Sequence, residues 1–422
     1  MSAEARGAPD AAARAAVDPA VAHLRSPEAI RERAGALLAR GLAGDLRHFA
    51  VDRARLGEAA DLVAAVTRER YPDLRVPLHS RWRHFTAGGR DRAAELDRAL
   101  GGASRDERAR ARIDLAVVSV LLDAGAGAAW RYVERDTGQA YSRSEGLAVA
   151  SFRLFAAGAF SGDPASPWRA DADGLAALDG DRLAAGMQAS AANPLAGLEG
   201  RVALLRRLGR ALRAAPRLFG AGPARPGSLV DYLRAGAAGG RVEAADVLAV
   251  VLEGLGPIWP GRIELAGVNL GDVWPHPQAG GAGPSAGLVP LHKLSQWLAY
   301  SLIEPLADAG LQVTGLDRLT GLAEYRNGGL FIDTAVLVPR HEAVLRGAHR
   351  PGDEPVVEWR ALTVALLDRL APLVRERLGH EAAALPLASI LEGGTWAAGR
   401  RLAEARRAGA PPIQVESDGT VM

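Results

Sequence analysis

Lys293 is the single lysine in a chain of 422 residues that carries fifty arginines. Where a side chain needs only positive charge and a long apolar stem, arginine serves as well. Lysine alone supplies a compact point charge, three donors that reorient and a proton it can lose. Lys293 is thus either a leftover on a solvated helix or a residue kept for chemistry that arginine cannot do. It lies in VPLHKLSQWLAY, residues 289–300, directly after His292. On a helix, positions 293, 296, 297, 300 and 304 share one side, and that side reads Lys, Gln, Trp, Tyr, Glu. Such a mixture suits a pocket wall, where aromatic surface meets a few directed polar groups. The plainer alternative is an amphipathic helix that turns its aromatics inward and snorkels its lysine.

Other segments hold similar material. TGLAEYRNGGLFID, residues 320–333, sets Glu324, Tyr325, Arg326 and Asn327 before a glycine pair, and Asn327 is one of only three asparagines, with Asn193 and Asn269. The pair Gly328 and Gly329 permits a sharp turn or a close backbone approach to a ligand; a turn Asn before Gly explains Asn327 equally well. GVNLGDVWPHP, residues 267–277, places Asn269, Asp272, Trp274 and His276 after a strand signal. In an extended course Asp272, Trp274 and His276 line one wall, and a structural loop is the bland counterpart. YPDLRVPLHSRWRHF, residues 71–85, holds Pro72 and Pro77, which favour an extended chain. Alternation then sets His79, Arg81 and Arg83 on one face, a natural clamp for phosphate or carboxylate. Asp123 in LLDAGAGAAWRY and Arg143 and Glu145 in YSRSEGLAVASF flank a loop between two helices and are further site candidates. The glycines after Asp123 follow a helix and lack the third member of a dinucleotide fingerprint.

Composition narrows the chemistry. There is no cysteine, which removes disulfides, thiolate metal sites and cysteine nucleophiles. His79 and His84 are five apart and no HExxH or phosphate-binding P-loop pattern occurs, so neither metal nor cofactor is expected. A net charge of +2 gives no basic field for a nucleic-acid polymer. Neither a spanning apolar run nor a signal-peptide layout is present, so a cytoplasmic protein with no membrane contact is expected.

The elements that must position these residues read as mainly α with a small β component. Helical periodicity marks segments near 54–70, 104–122, 144–157, 198–213, 242–254, 290–303, 357–378 and 387–407. Ser26-Pro27-Glu28 starts an earlier helix that Gly41 is expected to close. Strand signals are short: RIELAGV at 262–268, LFIDTAVLV at 330–338 and PIQVES at 412–417. Residues 1–24 read as a mobile tail, 25–220 as a helical lobe and 221–422 as a second, mainly helical lobe that carries the Lys293 and Glu324 motifs. Loops near 220–228 and 276–287 are candidate boundaries. The lobes are expected to form one compact unit with the site between them.

The segments HSRWRHF, LLDAGAGAAWRY, YSRSEGLAVASFRLF, HKLSQWLAYSLIEPL, LTGLAEYRNGGLFID and LEGGTWAAGR together resemble a uracil-catabolism family found in fungi and bacteria beside a GTP-cyclohydrolase-like, ring-opening enzyme. The resemblance runs from about residue 25 to the C-terminus. It implies a step in a route that opens the pyrimidine of uridine phosphate and ends in urea, with the ring-opening enzyme as a pathway partner. A more distant resemblance concerns the bond broken. Lys293 and Gln296 on a helix, then Leu319-Thr320 and Glu324-Tyr325-Arg326, look like the queuosine-phosphate N-glycosidase family. That family has a largely helical fold related to helix-hairpin-helix DNA glycosylases, and its lysine and acid belong to the nucleotide site. This chain departs by carrying Glu324 for aspartate and Asn-Gly-Gly for an apolar, proline-containing run.

Together the resemblances imply a hydrolase that cleaves the N-glycosidic bond of a ring-opened, nucleotide-like small molecule, ribosylurea 5-phosphate. Glu324 would be the catalytic carboxylate, and Lys293 would bind phosphate, tune Glu324 or act covalently. Arg326, Arg81 and Arg83 are anion-binding candidates, and Asn327, Asn269 and Asp272 are candidate partners of a urea-like group. His292, Gln296, Tyr325, Trp274, Asp123, Arg143 and Glu145 complete the set. A ureido or amide hydrolase of the same route and a non-catalytic nucleotide-binding accessory protein remain the alternatives.

Overall fold

The computed structural model describes residues 18–416. The first seventeen residues of the expected tail lie outside that range. Order begins before residue 24: Asp18 caps a short helix, Pro19–Leu24, whose Val21 and Leu24 are buried against Leu270 and Val273.

The helices that matter for the site are α1 (Pro27–Ala43), α2 (Leu56–Arg70), α3 (Arg105–Leu121), α4 (Arg143–Ala156), α5 (Leu198–Ala214), α6 (Ala244–Leu255), α7 (Lys293–Asp308), α8 (Tyr325–Asp333), α9 (Glu354–Leu378) and α10 (Trp396–Arg407). Local chemistry sets α1 as expected at its start: Ser26 Oγ accepts the Ala29 N–H and Pro27 takes the first turn. Its end differs from expectation. Gly44, in the left-handed region at φ 82°, closes the helix. Gly41 lies inside it, where a Cβ would come within 2.6 Å of the Val51 methyl, so that glycine serves packing.

The chain is mainly helical, and β structure among the described residues is confined to two-stranded pairs. Phe49–Val51 pairs antiparallel with Leu337–Pro339, Val273–Pro275 with Leu288–Pro290, and Glu264–Leu265 with Val268–Asn269. Arg241–Glu243 and Gln312–Thr314, and likewise Ala348–His349 and Gln414–Val415, pair in parallel. Two extended readings are corrected. Leu330–Asp333 completes α8, because Glu324 caps that helix and turns Leu330 and Phe331 into the core. Residues 81–89 coil in 3₁₀ turns, which breaks the alternation expected for Arg81 and Arg83.

A single apolar core runs through almost the whole described chain. The long helix α9 is its axis and packs against α1, α2 and α8, while α7 packs against α3 and α6. Helices from both halves therefore share one interior. The stretch near 220–228 is fastened to α3: Arg225 and the Gly227 N–H both bond to the buried Asp114 carboxylate.

Candidate active site

The start of α7 is fixed by a partly buried ion pair. Asp272 receives both terminal nitrogens of Arg360 at 2.8 Å and also the Trp274 indole N–H at 2.6 Å. Its free lone pair caps α7 by accepting the Lys293 backbone N–H at 2.9 Å. Burial alone would raise this carboxyl, but the Arg360 charge and these donors hold it well below the usual carboxylate range. His292, the preceding residue, sits at φ 44° with Nε2 on the Leu24 carbonyl. A non-glycine residue in that region is strained. The strain is held by bonds on both sides and sets the direction in which Lys293 leaves the backbone.

Glu324 is positioned by α8. Its two oxygens accept the Asn327 and Arg326 backbone N–H groups at 2.6 and 3.0 Å. The carboxylate thus sits at the positive end of a nine-residue helix, clamped in one orientation with acceptor capacity to spare. Two close glycine contacts seat α8. A Cβ on Gly328 would lie 2.6 Å from the Trp359 indole nitrogen of α9, and one on Gly399 of α10 would lie 2.0 Å from the Arg326 carbonyl. The backbone contact at Gly399 brings the Trp396 ring over the Arg326 guanidinium, 4.4 Å from its centre. A π-helical turn, Leu391–Thr395, leads into Trp396 and aims it there.

These elements enclose a cavity of about 490 Å³, within the range of small-molecule sites. Lys293, Glu324, Tyr325, Arg326, Asp123 and Arg143 all line it, with Trp297, Trp396, His79 and His84 as aromatic wall. Burial pushes the Lys293 ammonium down, and the charges of Glu324 and Asp123 push it back up. Lys293 makes no ion pair among the described residues; its Nζ lies 5.9 Å from the Trp297 ring centre. Arg326 is buried, stacked between Tyr325 and Trp396, and its guanidinium has no hydrogen bond or ion pair among the described residues. A cation held on aromatic faces without a paired carboxylate is chemically able to receive an anion. Asp123 also lines the cavity as a second carboxylate, with Oδ1 3.2 Å from Arg81.

The remaining expected site residues do not line this cavity. Arg81 is fully buried behind it, on Ser119 and Asp123, and Arg83 pairs with Glu304 outside. Gln296 bonds Thr320, and Asn327 spans Leu322 and Thr395. Asn269 closes its own loop on Trp259 and Gly271. Asp272, Trp274 and His292 anchor α7, and Glu145 pairs with Arg400. The α7 stripe is divided: Lys293 and Trp297 face the cavity, whereas Tyr300 bonds the Thr320 carbonyl and Glu304 turns to Ser80. The string GPSAG, residues 283–287, has the letters of a nucleophile elbow, but Ser285 lies in a 3₁₀ turn between loops and bonds Ala282 and Arg33.

Sequence reasoning missed the part played by Trp396, His84 and the stretch 408–415, of which Ala408, Gly409, Pro411, Ile413 and Val415 border the cavity. Arg143, itself at φ 52°, reaches Glu404 and the carbonyls of Ala408 and Gly409 and fastens that stretch. His79 gives its Nδ1–H to Glu392 at 2.8 Å. Burial alone would raise Glu392, and the hydrogen bond and charge of His79 with the charge of Arg70 bring it to about 2. Its contribution to stability is lost only as pH falls from about 4.5 towards 2.

His84 behaves differently. Burial, and next the Arg81 charge, push it down to about 4, against the pull of Asp123 and Glu145. Below its ordinary value near 6.5 the unfolded chain takes up a proton that the folded chain refuses, so stability falls as pH drops from about 6.5 to 4. About 2 kcal/mol is lost between pH 7 and 5 on this account. Urea midpoints at the two pH values should therefore converge in His84→Gln relative to the parent; an unchanged gap would show that another group carries the dependence.

With this geometry in view, relatives add a decisive observation. The family described as "Protein of unknown function (DUF1688)" matches residues 23–422. The chain belongs to this family. It is 39% identical over 411 residues to "Uracil catabolism protein 4" of Lachancea kluyveri, covering 90% of this chain and 93% of that protein. It is 40% identical over 410 residues to "Protein urg3" of Schizosaccharomyces pombe, covering 95% and 98%. The matched region of this DUF1688 member includes every residue that lines the cavity. No helix of the described residues is long and apolar enough to cross a membrane.

Proposed function

We propose that this protein acts in uracil catabolism as a hydrolase that cleaves the N-glycosidic bond of a ring-opened uridine nucleotide, ribosylurea 5-phosphate, releasing urea and ribose 5-phosphate. One observation carries the reading. A clamped carboxylate, Glu324, shares a nucleotide-sized cavity with two cations, Lys293 and Arg326, that have no ion-pair partner among the described residues. The name of the relative from Lachancea kluyveri supports the pathway.

The roles follow from charge and position. Arg326, stacked on Trp396, takes the phosphate through charge-assisted hydrogen bonds. Glu324 faces the anomeric carbon, where positive charge develops as the C–N bond breaks. It accepts a proton from the attacking water as the hydroxyl joins C1 of the sugar; the C–N bonding pair leaves with the ureido nitrogen, which takes up one proton from solvent water to become urea, balanced by the proton that Glu324 then releases. Asp123 accepts N–H groups of the leaving urea, and Lys293 donates to its carbonyl oxygen while balancing the two carboxylates. Lys293 thus acts through its proton-bearing, compact charge, and a covalent role is not needed.

Purified protein incubated with ribosylurea 5-phosphate should release urea and ribose 5-phosphate in equal amounts. The unphosphorylated analogue should bind far more weakly. No sugar release from the phosphorylated compound would overturn the proposal, and ammonia release with the sugar bond intact would point to a ureido hydrolase.

A further inference from the structure

A second cluster of chemistry-bearing groups lies at the opposite end of α9 from its C-terminus, and none of it lines the cavity. Glu354 and Glu358 stand one turn apart at the start of α9 and meet His48, which leads into the strand Phe49–Val51. One ligand atom from each of His48, Glu354 and Glu358 lies within 4.8 Å of the others. His48 Nε2 is 3.4 Å from Glu354 Oε1.

The bonds around the cluster leave two buried atoms without a hydrogen-bond partner. Glu358 Oε1 is taken by the backbone N–H groups of His48 and Phe49, at 3.2 and 2.8 Å. Its Oε2, fully buried, has no hydrogen-bond partner. His48 Nδ1 is bonded to His341 Nε2 at 3.0 Å, and His48 Nε2, also buried, has no partner either. His276 Nδ1 accepts the Gln278 N–H, so its neutral ring carries the proton on Nε2, which faces Glu358 Oε2 at 3.5 Å. A buried carboxylate oxygen with only a long contact from a neutral imidazole is costly unless a cation joins it.

We propose that His48 Nε2, Glu354 Oε1 and Glu358 Oε2 hold one divalent transition-metal ion of the Zn²⁺ or Mn²⁺ class, with water completing the shell. Two atoms bound at about 2.0–2.1 Å in tetrahedral geometry sit about 3.4 Å apart, the separation found between His48 and Glu354. One nitrogen and two carboxylate oxygens form a donor set that such ions accept. The outer shell is also built: His341 fixes the His48 tautomer, His276 and two backbone N–H groups orient Glu358. Glu354 is about a quarter exposed and gives the ion its way in. The ion braces the N-terminal end of α9 against the Phe49–Val51 pair. Two residues beyond Glu358, Arg360 holds Asp272 and with it the start of α7. The site is independent of the reaction proposed for the cavity.

The test uses full-length protein stripped with chelator and titrated with ZnCl₂ or MnCl₂, read by native mass spectrometry, calorimetry and thermal unfolding. One equivalent per chain should bind and raise the melting temperature. His48→Gln and Glu354→Gln should each weaken that binding at least about tenfold; Glu354, the more exposed ligand, serves if the His48 variant misfolds. Absence of a bound equivalent in the parent protein overturns the proposal, as does equal binding in the variants, which would mark the ion as held by surface histidines.

Discussion

Glu324→Gln should lower kcat for sugar release by about 10²–10⁴-fold while leaving substrate binding within a few-fold of the parent. Glutamine keeps the size and the cap oxygen but cannot take a proton from water or face developing positive charge as an anion. The same substitution weakens the α8 cap, which bonds two backbone N–H groups, and should cost only about 1 kcal/mol of stability. The two effects differ by enough to be separated: a denaturation curve reports the cap, and single-turnover kinetics report the chemistry. Equal turnover in a folded variant would remove Glu324 from the reaction and favour an accessory, binding role for the protein.

Lys293→Arg is the second large effect. Arginine conserves charge, so a simple electrostatic role predicts near-parental activity. Lys293 instead works in a confined place, close to Trp297 and within the fields of Glu324 and Asp123, where a planar fork cannot reproduce a point donor. Loss of one charge-assisted hydrogen bond made in the transition state corresponds to about 10–150-fold in kcat/KM. The kcat should carry that loss. A change in KM alone would assign Lys293 to ground-state binding of the phosphate, and full activity would make the solitary lysine an accident of composition.

What the sequence made legible was local. The periodicity of α2 through α7 and the Ser26 cap depend on spacing within a few turns, and they read correctly to within a few residues. Lys293 stands out as the single lysine and Glu324 through the resemblance to the queuosine-phosphate N-glycosidase family, and the fold brings the two to one cavity. The parts that were not legible are long-range. Asp272, Trp274 and Asn269 look like a polar site in one strand-loop segment, yet the group that decides the role of Asp272 is Arg360, 88 residues away. Arg81 looked like a surface clamp because two prolines favoured an extended course; the 3₁₀ coil and Ser119 draw it inside. LFIDT reads as a strand because its glycine pair weakens the helical signal, while the cap at Glu324 and the glycine contact with Trp359 make the helix pack. Trp396 carries no local sign of function, since its partner Arg326 reaches it only through the α8–α10 crossing. The same holds for His48 and Glu358, 310 residues apart, which no spacing rule for metal ligands would join.

The central claim is that the bond broken joins sugar to urea. Ribosylurea 5-phosphate labelled with ¹³C at C1 of the ribose reports it directly by NMR during turnover. Cleavage at that bond moves the C1 signal from a nitrogen-linked anomeric carbon to the hemiacetal carbons of free ribose 5-phosphate, with intact urea accumulating in step. A C1 signal that stays nitrogen-linked while the ureido group loses ammonia would contradict the account.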